Sequence, residues 1–225
     1  MRHLVEEVVP FVEARFPILP GREHRALFGK SSGGYGALVH GMTRADAWGA
    51  VAAHSGDAYF EYVYMTEFPK VVRELGKHGG SPDRFLEAVW AKEKLSNDEV
   101  MALMILGMAA HYDPDPAAPR GFRLPFDPGT GAILPDRWAR WLPHDPVRLV
   151  DAPGSAEALR SLRGLWIDCG TKDQYHLIWG NRMIHRRLEA LGVPHEYREF
   201  DDDHSDVDYR MDESLPFLYS RVGPG

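Results

Sequence analysis

Apolar positions in this chain recur in blocks, and the spacing changes from block to block. Over residues 2–16, Leu4, Val5, Val8, Val9, Phe11, Val12 and Phe16 share one helical stripe, with Glu6, Glu7, Glu13 and Arg15 opposite. That pattern predicts a helix, broken by the segment "PILPGREH". Ala26-Leu27-Phe28 is a short apolar run that predicts a buried strand over 25–28, followed by helix-compatible sequence over 33–42. "WGAVAAHSG" (Trp48 to Gly56) reads as a second buried strand ending in a loop. Strand, helix and strand in close order predict a βαβ unit and hence a parallel sheet.

The texture then changes. Residues 57–155 open on an aromatic cluster (Tyr59, Phe60, Tyr62, Tyr64, Phe68) and continue with helical patterns near 82–94 and 97–111. The second of these carries Val100, Met101, Leu103, Met104, Leu106 and Met108, and a proline-rich stretch with Trp138 and Trp141 follows. A strandless segment of this length between two strands of one sheet is expected to be a helical, Pro-rich cap or lid. Its Met and aromatic side chains suit either an acyl pocket or simple packing of the cap, and packing is the commoner use. Sheet texture returns at Leu165-Trp166-Ile167, then a helix over 176–191 closed by Gly192 and Pro194, a strand "HEYREF", a loop "DDDHSD" and a closing helix over 208–221. The expected organisation is an α/β core from residues 1–56 and 156–225, with 57–155 inserted.

Composition narrows the function. With 44% hydrophobic and 26% charged residues in 225, the chain can form one packed α/β domain with an insertion. A formal charge of -7 and the lack of a basic run argue against a nucleic-acid partner. A single cysteine, Cys169, excludes an internal disulfide. No apolar run approaches the ~18 residues of a membrane span. Residues Met1–Glu7 contain no signal-type apolar region, so the cytoplasm is the expected location.

The chemistry centres on "FGKSSGG". Gly29-Lys30-Ser31 resembles the end of a phosphate-binding loop, but the earlier glycine of that motif belongs at position 24, which is His24. The apolar run to Phe28 also leaves no room for a phosphate-cradling loop. The same residues form G-x-S-x-G, the nucleophile elbow, with Gly29 and Gly33 flanking Ser31 at a tight strand-to-helix turn where larger side chains two residues either side would collide. A nucleophilic serine needs a base, and an acid to orient that base. Asp173 follows the 165–168 strand and His204 follows the 195–200 strand, giving the order Ser, Asp, His with each at a strand end. Asp168 lies within its strand and reads as structural. His54 and His111 lack an acid-bearing strand in the required order. "DDDHSDVD" offers hard oxygen ligands but lacks the alternation and glycine of a calcium loop, so no metal is expected.

"LPGREHRALFGKSSGGYGAL", "IDCGTKDQY" and "LEALGVPHEYREFDDDHSD" resemble the esterase branch of the α/β-hydrolases, which includes esterase D type enzymes, enterochelin esterases, feruloyl esterases and mycolyltransferases. The resemblance covers about residues 1–56 and 155–220. It implies an α/β-hydrolase-type, mostly parallel sheet flanked by helices, Ser31 as nucleophile, Asp173 as acid, His204 as base, and no cofactor. The N–H of Ser32 would be an oxyanion-hole donor. Two local departures are Asp202-Asp203, where the family usually has glycine before the histidine, and Lys30 and Ser32 in place of the common His and Met.

A larger departure is at Met1. In that family several strands precede the helix that resembles residues 2–16, and one of them leads to the second oxyanion donor. Losing one such donor costs about 3–4 kcal/mol in the transition state. The sequence therefore leads us to expect either a start farther upstream or a shortened relative that borrows its missing layer. An unpaired edge on the nucleophile strand would also favour a homo-oligomer. The expected activity is hydrolysis of a small-molecule carboxylic ester, with acyl transfer using the same residues. The competing expectation is a non-catalytic binding or scaffold module with an incomplete oxyanion hole.

Overall fold

Four short segments pair into one parallel sheet in sequence order: β1 (Ala26–Lys30), β2 (Ala50–His54), β3 (Gly164–Gly170) and β4 (Glu196–Phe200). The computed structural model describes residues 2–224, in two compact units. The first unit, residues 1–59 and 146–225, contains the whole sheet. Ala50 through Ala53 of β2 are fully buried, and their small side chains let helices approach closely on both faces. One face packs Ala37, Leu38 and Met42 of α2 (Ser32–Thr43) with Val51, Ala53, Leu165 and Ile167 of the sheet. Leu159 of α3 (Ser155–Arg160) and Ile184 and Leu188 of α4 (Leu177–Ala190) complete that layer. The opposite face, built on Ala50, Ala52 and Trp166, is covered by Leu218 of α5 (Met211–Val222). In α2, glycines at 33, 34, 36 and 41 make a poor intrinsic helix former, so tertiary packing holds it.

The register aligns Lys30 with His54, His54 with Asp168 and Gly170 with Phe200. Because every strand is parallel, the loops after β1, β2, β3 and β4 leave the sheet from the same edge, where α/β proteins place their sites. The expectation of a buried strand over 25–28 fails: within the described residues β1 is an edge strand, with no fully buried residue and Phe28 43% exposed.

The N-terminal helix departs from the expectation over 2–16. A π-helical turn spans Leu4–Val8 and an α-helix, α1, only Val9–Glu13. Pro10 has no N–H to donate and its ring crowds the preceding turn, which widens the helix there. Leu4, Val5 and Val9 still pack on the core, whereas Phe11 and Phe16 face solvent.

The second unit, residues 60–145, is helical, with Phe68–Gly76, Pro82–Trp90 and Asn97–Tyr112 as its longest elements. Ser96 and Glu99 close a capping box at the start of the last of these. The aromatic residues here form a core of their own. Phe60, Tyr64, Phe68 and Trp141 are buried, with Phe68 against Phe126 at 4.8 Å and edge-on to Trp141 at 6.0 Å. Met101, Met104 and Met108 are half-buried. No helix of the described residues is long and apolar enough to cross a membrane.

Candidate active site

Ser31 is the single residue between β1 and α2. Its backbone sits at φ 58°, ψ -126°, a conformation that non-glycine residues avoid and that neighbouring structure must enforce. Two hydrogen bonds do so: Ser31 N–H donates to His54 O at 2.9 Å, and Tyr35 N–H donates to Ser31 O at 2.9 Å. The flanking glycines are not equivalent. A Cβ on Gly29 would lie 2.4 Å from the backbone of Gly33, whereas a Cβ on Gly33 would meet nothing within 4 Å. The sequence expectation of a steric need on both sides therefore holds at Gly29 and fails at Gly33. The second tight position is Gly34, whose Cβ would lie 2.8 Å from His54 O and 2.9 Å from Gly56 Cα.

Asp173 and His204, 31 residues apart in sequence, meet at the ends of β3 and β4. Asp173 Oδ2 accepts from His204 Nδ1 at 2.8 Å, and Asp173 Oδ1 accepts from Tyr175 N–H at 2.9 Å and Leu177 N–H at 3.4 Å. The carboxylate is buried and uses both oxygens, so its orientation is fixed. With Nδ1–H held by Asp173, His204 Nε2 carries the free lone pair that a general base needs. The Tyr175 ring stands edge-on to the imidazole at 5.1 Å. Among the described residues Ser31 Oγ has no hydrogen-bond partner, so the serine side chain is not engaged with His204 in this structure. Such bonds often close only when substrate arrives.

Ser32, the first residue of α2, has a backbone N–H with no intrahelical acceptor. Its hydroxyl is turned away to donate to the buried Asp57 at 3.0 Å. Lys30 lies 3.5 Å from Asp208, so its ammonium already faces a carboxylate. The acidic run before His204 is already paired. Asp201 pairs with Lys172, Asp202 accepts from Tyr209 and from Asp203 N–H, and Asp203 accepts from Ser205 N–H. Among the described residues no group of three or more His, Cys, Asp or Glu side chains is arranged to hold a metal ion.

A second Ser, His and Asp set closes its hydrogen bonds more completely. His54 Nδ1 bonds Asp168 Oδ1 at 2.7 Å, and His54 Nε2 bonds Ser214 Oγ at 2.9 Å. Trp166 Nε1–H donates to Asp168 Oδ2 at 3.0 Å, and the Arg210 guanidinium adds a donor at 3.3 Å. Ser214 and Asp168 are 0% exposed and His54 is 2%, so no substrate reaches the hydroxyl. This set is a strut tying β2 and β3 to α5, in keeping with the structural role that the sequence suggested for Asp168. Neither Asp57 behind the elbow nor Gln174 and Tyr175 beside the base carried a sequence signal. Buried Cys169 is pushed well above the ordinary thiol range, by its burial first and by the Asp173 charge second, which keeps it out of nucleophilic chemistry.

A parallel sheet whose strand-end loops present a strained serine and a bonded Asp–His pair defines an α/β-hydrolase-fold protein. Residues 2–213 match the Esterase family, described as "Putative esterase", and the chain belongs to that family. Among solved structures it is similar to a ferulic acid esterase, at 21% identity and TM-score 0.56, over 99% of this chain and 61% of that one. It is also similar to Mycobacterium tuberculosis MPT51 (FbpC1), at 16% identity and TM-score 0.57, over 98% of this chain and 68% of that one. A third is Staphylococcus aureus fluorophosphonate-binding serine hydrolase F, at 18% identity and TM-score 0.51, over 98% of this chain and 63% of that one. At these identities the likeness is one of fold, and the chain spans about two thirds or less of each neighbour. No curated protein matches its sequence.

Proposed function

We propose that this protein is a serine hydrolase of carboxylic esters, working through Ser31, His204 and Asp173. The observation that carries the reading is the Asp173–His204 bond of 2.8 Å, formed by loops that leave the sheet on the same edge as the strained Ser31. In this reading His204 Nε2 takes the Ser31 hydroxyl proton as Oγ attacks the ester carbonyl. Asp173 holds the imidazole tautomer and stabilises the imidazolium that forms. The Ser32 N–H, at the positive end of α2, donates to the developing oxyanion. His204 then returns the proton to the leaving alkoxide, and the alcohol departs from an acyl-serine. Water, deprotonated by the same imidazole, attacks the acyl-enzyme and releases the acid. An alcohol in place of water gives acyl transfer through identical steps.

Membership of an esterase family supports the reaction type, and a neighbour described as fluorophosphonate-binding supports the choice of probe. The test is incubation with a fluorophosphonate, read by intact mass, with Ser31→Ala as control. One adduct on the native chain, absent from the variant, supports the reading. A folded chain that takes no adduct speaks for a non-catalytic module.

A further inference from the structure

The ladder between β3 and β4 continues past the ends of the strands. Thr171 N–H donates to Phe200 O at 2.9 Å, and Lys172 N–H donates to Asp202 O at 3.0 Å. Gly170 permits this approach, since a Cβ there would lie 2.4 Å from Asp202 O. Then the acid loop turns back on itself: Asp173 N–H reaches Gly170 O at 3.4 Å, and His176 N–H reaches Asp173 O at 3.1 Å. That turn aims the Asp173 carboxylate at the imidazole, and it withdraws the main-chain carbonyl that would have met the next rung. The next rung is the N–H of His204. The Gln174 side chain fills it, with Oε1 accepting from His204 N–H at 2.9 Å and Nε2 donating to Ser205 Oγ at 3.3 Å.

We propose that Gln174 is a positioning residue for the base, fixing the main chain of His204 relative to the acid; this rests on the reading of Ser31, Asp173 and His204 given above. The Asp173 bond holds one atom of the imidazole, and a ring held at one atom pivots about that bond. A second anchor on the His204 backbone fixes the Cβ, and with it the direction in which Nε2 points. Both anchors come from the same short turn, so base and acid move together. A water molecule could satisfy this partly exposed N–H, but water would not couple the 201–206 loop to the acid turn. Lys172 ties the start of the loop to the acid side, through its N–H to Asp202 O at 3.0 Å and its ammonium to Asp201 at 2.8 Å, and Gln174 extends that tie to His204 itself.

The experiment compares Gln174→Ala and Gln174→Glu with the native chain in steady-state hydrolysis of p-nitrophenyl acetate over pH. Fluorophosphonate labelling of Ser31 is followed alongside. Gln174→Ala should lower kcat roughly 3- to 10-fold with KM little changed, the worth of one such hydrogen bond. The carboxylate introduced by Gln174→Glu still accepts from the His204 N–H, so kcat on the pH plateau should return to within about twofold of native. Its added charge favours the imidazolium, so the acid limb of the profile should move to higher pH. Hydrogen exchange at the His204 amide should speed up in the Ala variant and not in the Glu variant. An unchanged kcat in Gln174→Ala on a normally labelled enzyme overturns this proposal alone, as does a Glu variant no better than Ala. A native chain that Ser31-directed probes do not label overturns the reading of the triad, and this proposal with it.

Discussion

Asp173 Oδ2 lies 2.8 Å from His204 Nδ1, while the other oxygen of the same carboxylate accepts two backbone N–H groups of its own turn. The acid is thus locked before it meets the base. Asp173→Asn tests this. Its amide N–H₂ must face either the Tyr175 N–H or His204 Nδ1, and facing the ring selects the wrong tautomer. We expect kcat for ester hydrolysis to fall by about 10²- to 10⁴-fold, with a stability loss of only about 1–3 kcal/mol. Kinetics beside urea unfolding separates the two effects, and a variant that keeps native kcat refutes the assignment.

The two glycines of the elbow should respond differently. Gly29→Ala drives a methyl into the Gly33 backbone and should destabilise by about 1–3 kcal/mol and slow probe labelling, because the collision is at the nucleophile turn. Gly33→Ala meets open space and should leave the urea midpoint unchanged or slightly raised. Equal losses in the two variants would contradict the geometry.

The buried strut should matter to stability rather than chemistry. His54→Ala leaves Asp168 and Ser214 without their common partner at 0% exposure, and should cost about 3–5 kcal/mol in chemical denaturation. Ser214→Ala should retain fluorophosphonate labelling, whereas Ser31→Ala should abolish it. The reverse pattern would exchange the two serines in the account above.

Glu99 gives the second unit an acid-sensitive helix start. The Lys92 ammonium first, then the Ser96 N–H, hold the Glu99 carboxyl down to about 2, against an ordinary value of 4.5. A carboxyl depressed by folding stabilises above its unfolded pKa and loses that contribution as pH falls through the folded one. Thermal unfolding of Glu99→Gln should therefore lie below native at neutral pH, with the difference closing between about pH 4.5 and 2. A difference that does not change with pH would exclude the mechanism.

His40 titrates to the opposite charge with the same sign of effect. Burial, with smaller help from neighbouring positive charge, holds its imidazole below the ordinary 6.5, and Trp48 Nε1–H donates to its Nδ1 at 3.1 Å. That bond needs the neutral ring, so stability should fall as pH drops below about 6.5. His40→Gln should flatten this slope in Tm measured against pH; an unchanged slope would show that another group sets it.

Local sequence determined much of this protein. Continuous apolar runs located the buried strands around 50–54 and 165–168 and the half-buried strand near 25–28, and period-two alternation located the one over 195–200. The order Ser31, Asp173, His204 at three strand ends was legible because parallel strands send their loops to one edge. The π-helical turn before Pro10 was also implicit in the sequence, since a proline inside an apolar stripe has no N–H to give, but the stripe alone predicted a continuous helix. Tertiary structure decided what no spacing encodes. It decided that Gly34, rather than Gly33, is the second tight glycine of the elbow, because that contact depends on how the elbow packs against the end of β2 and the loop after it. It decided that His54, Asp168 and Ser214 close a buried strut while Gln174 reaches across to His204. Hydrogen bonds between residues 30 to 160 positions apart depend on where whole elements dock, and docking is set by the core rather than by any local pattern.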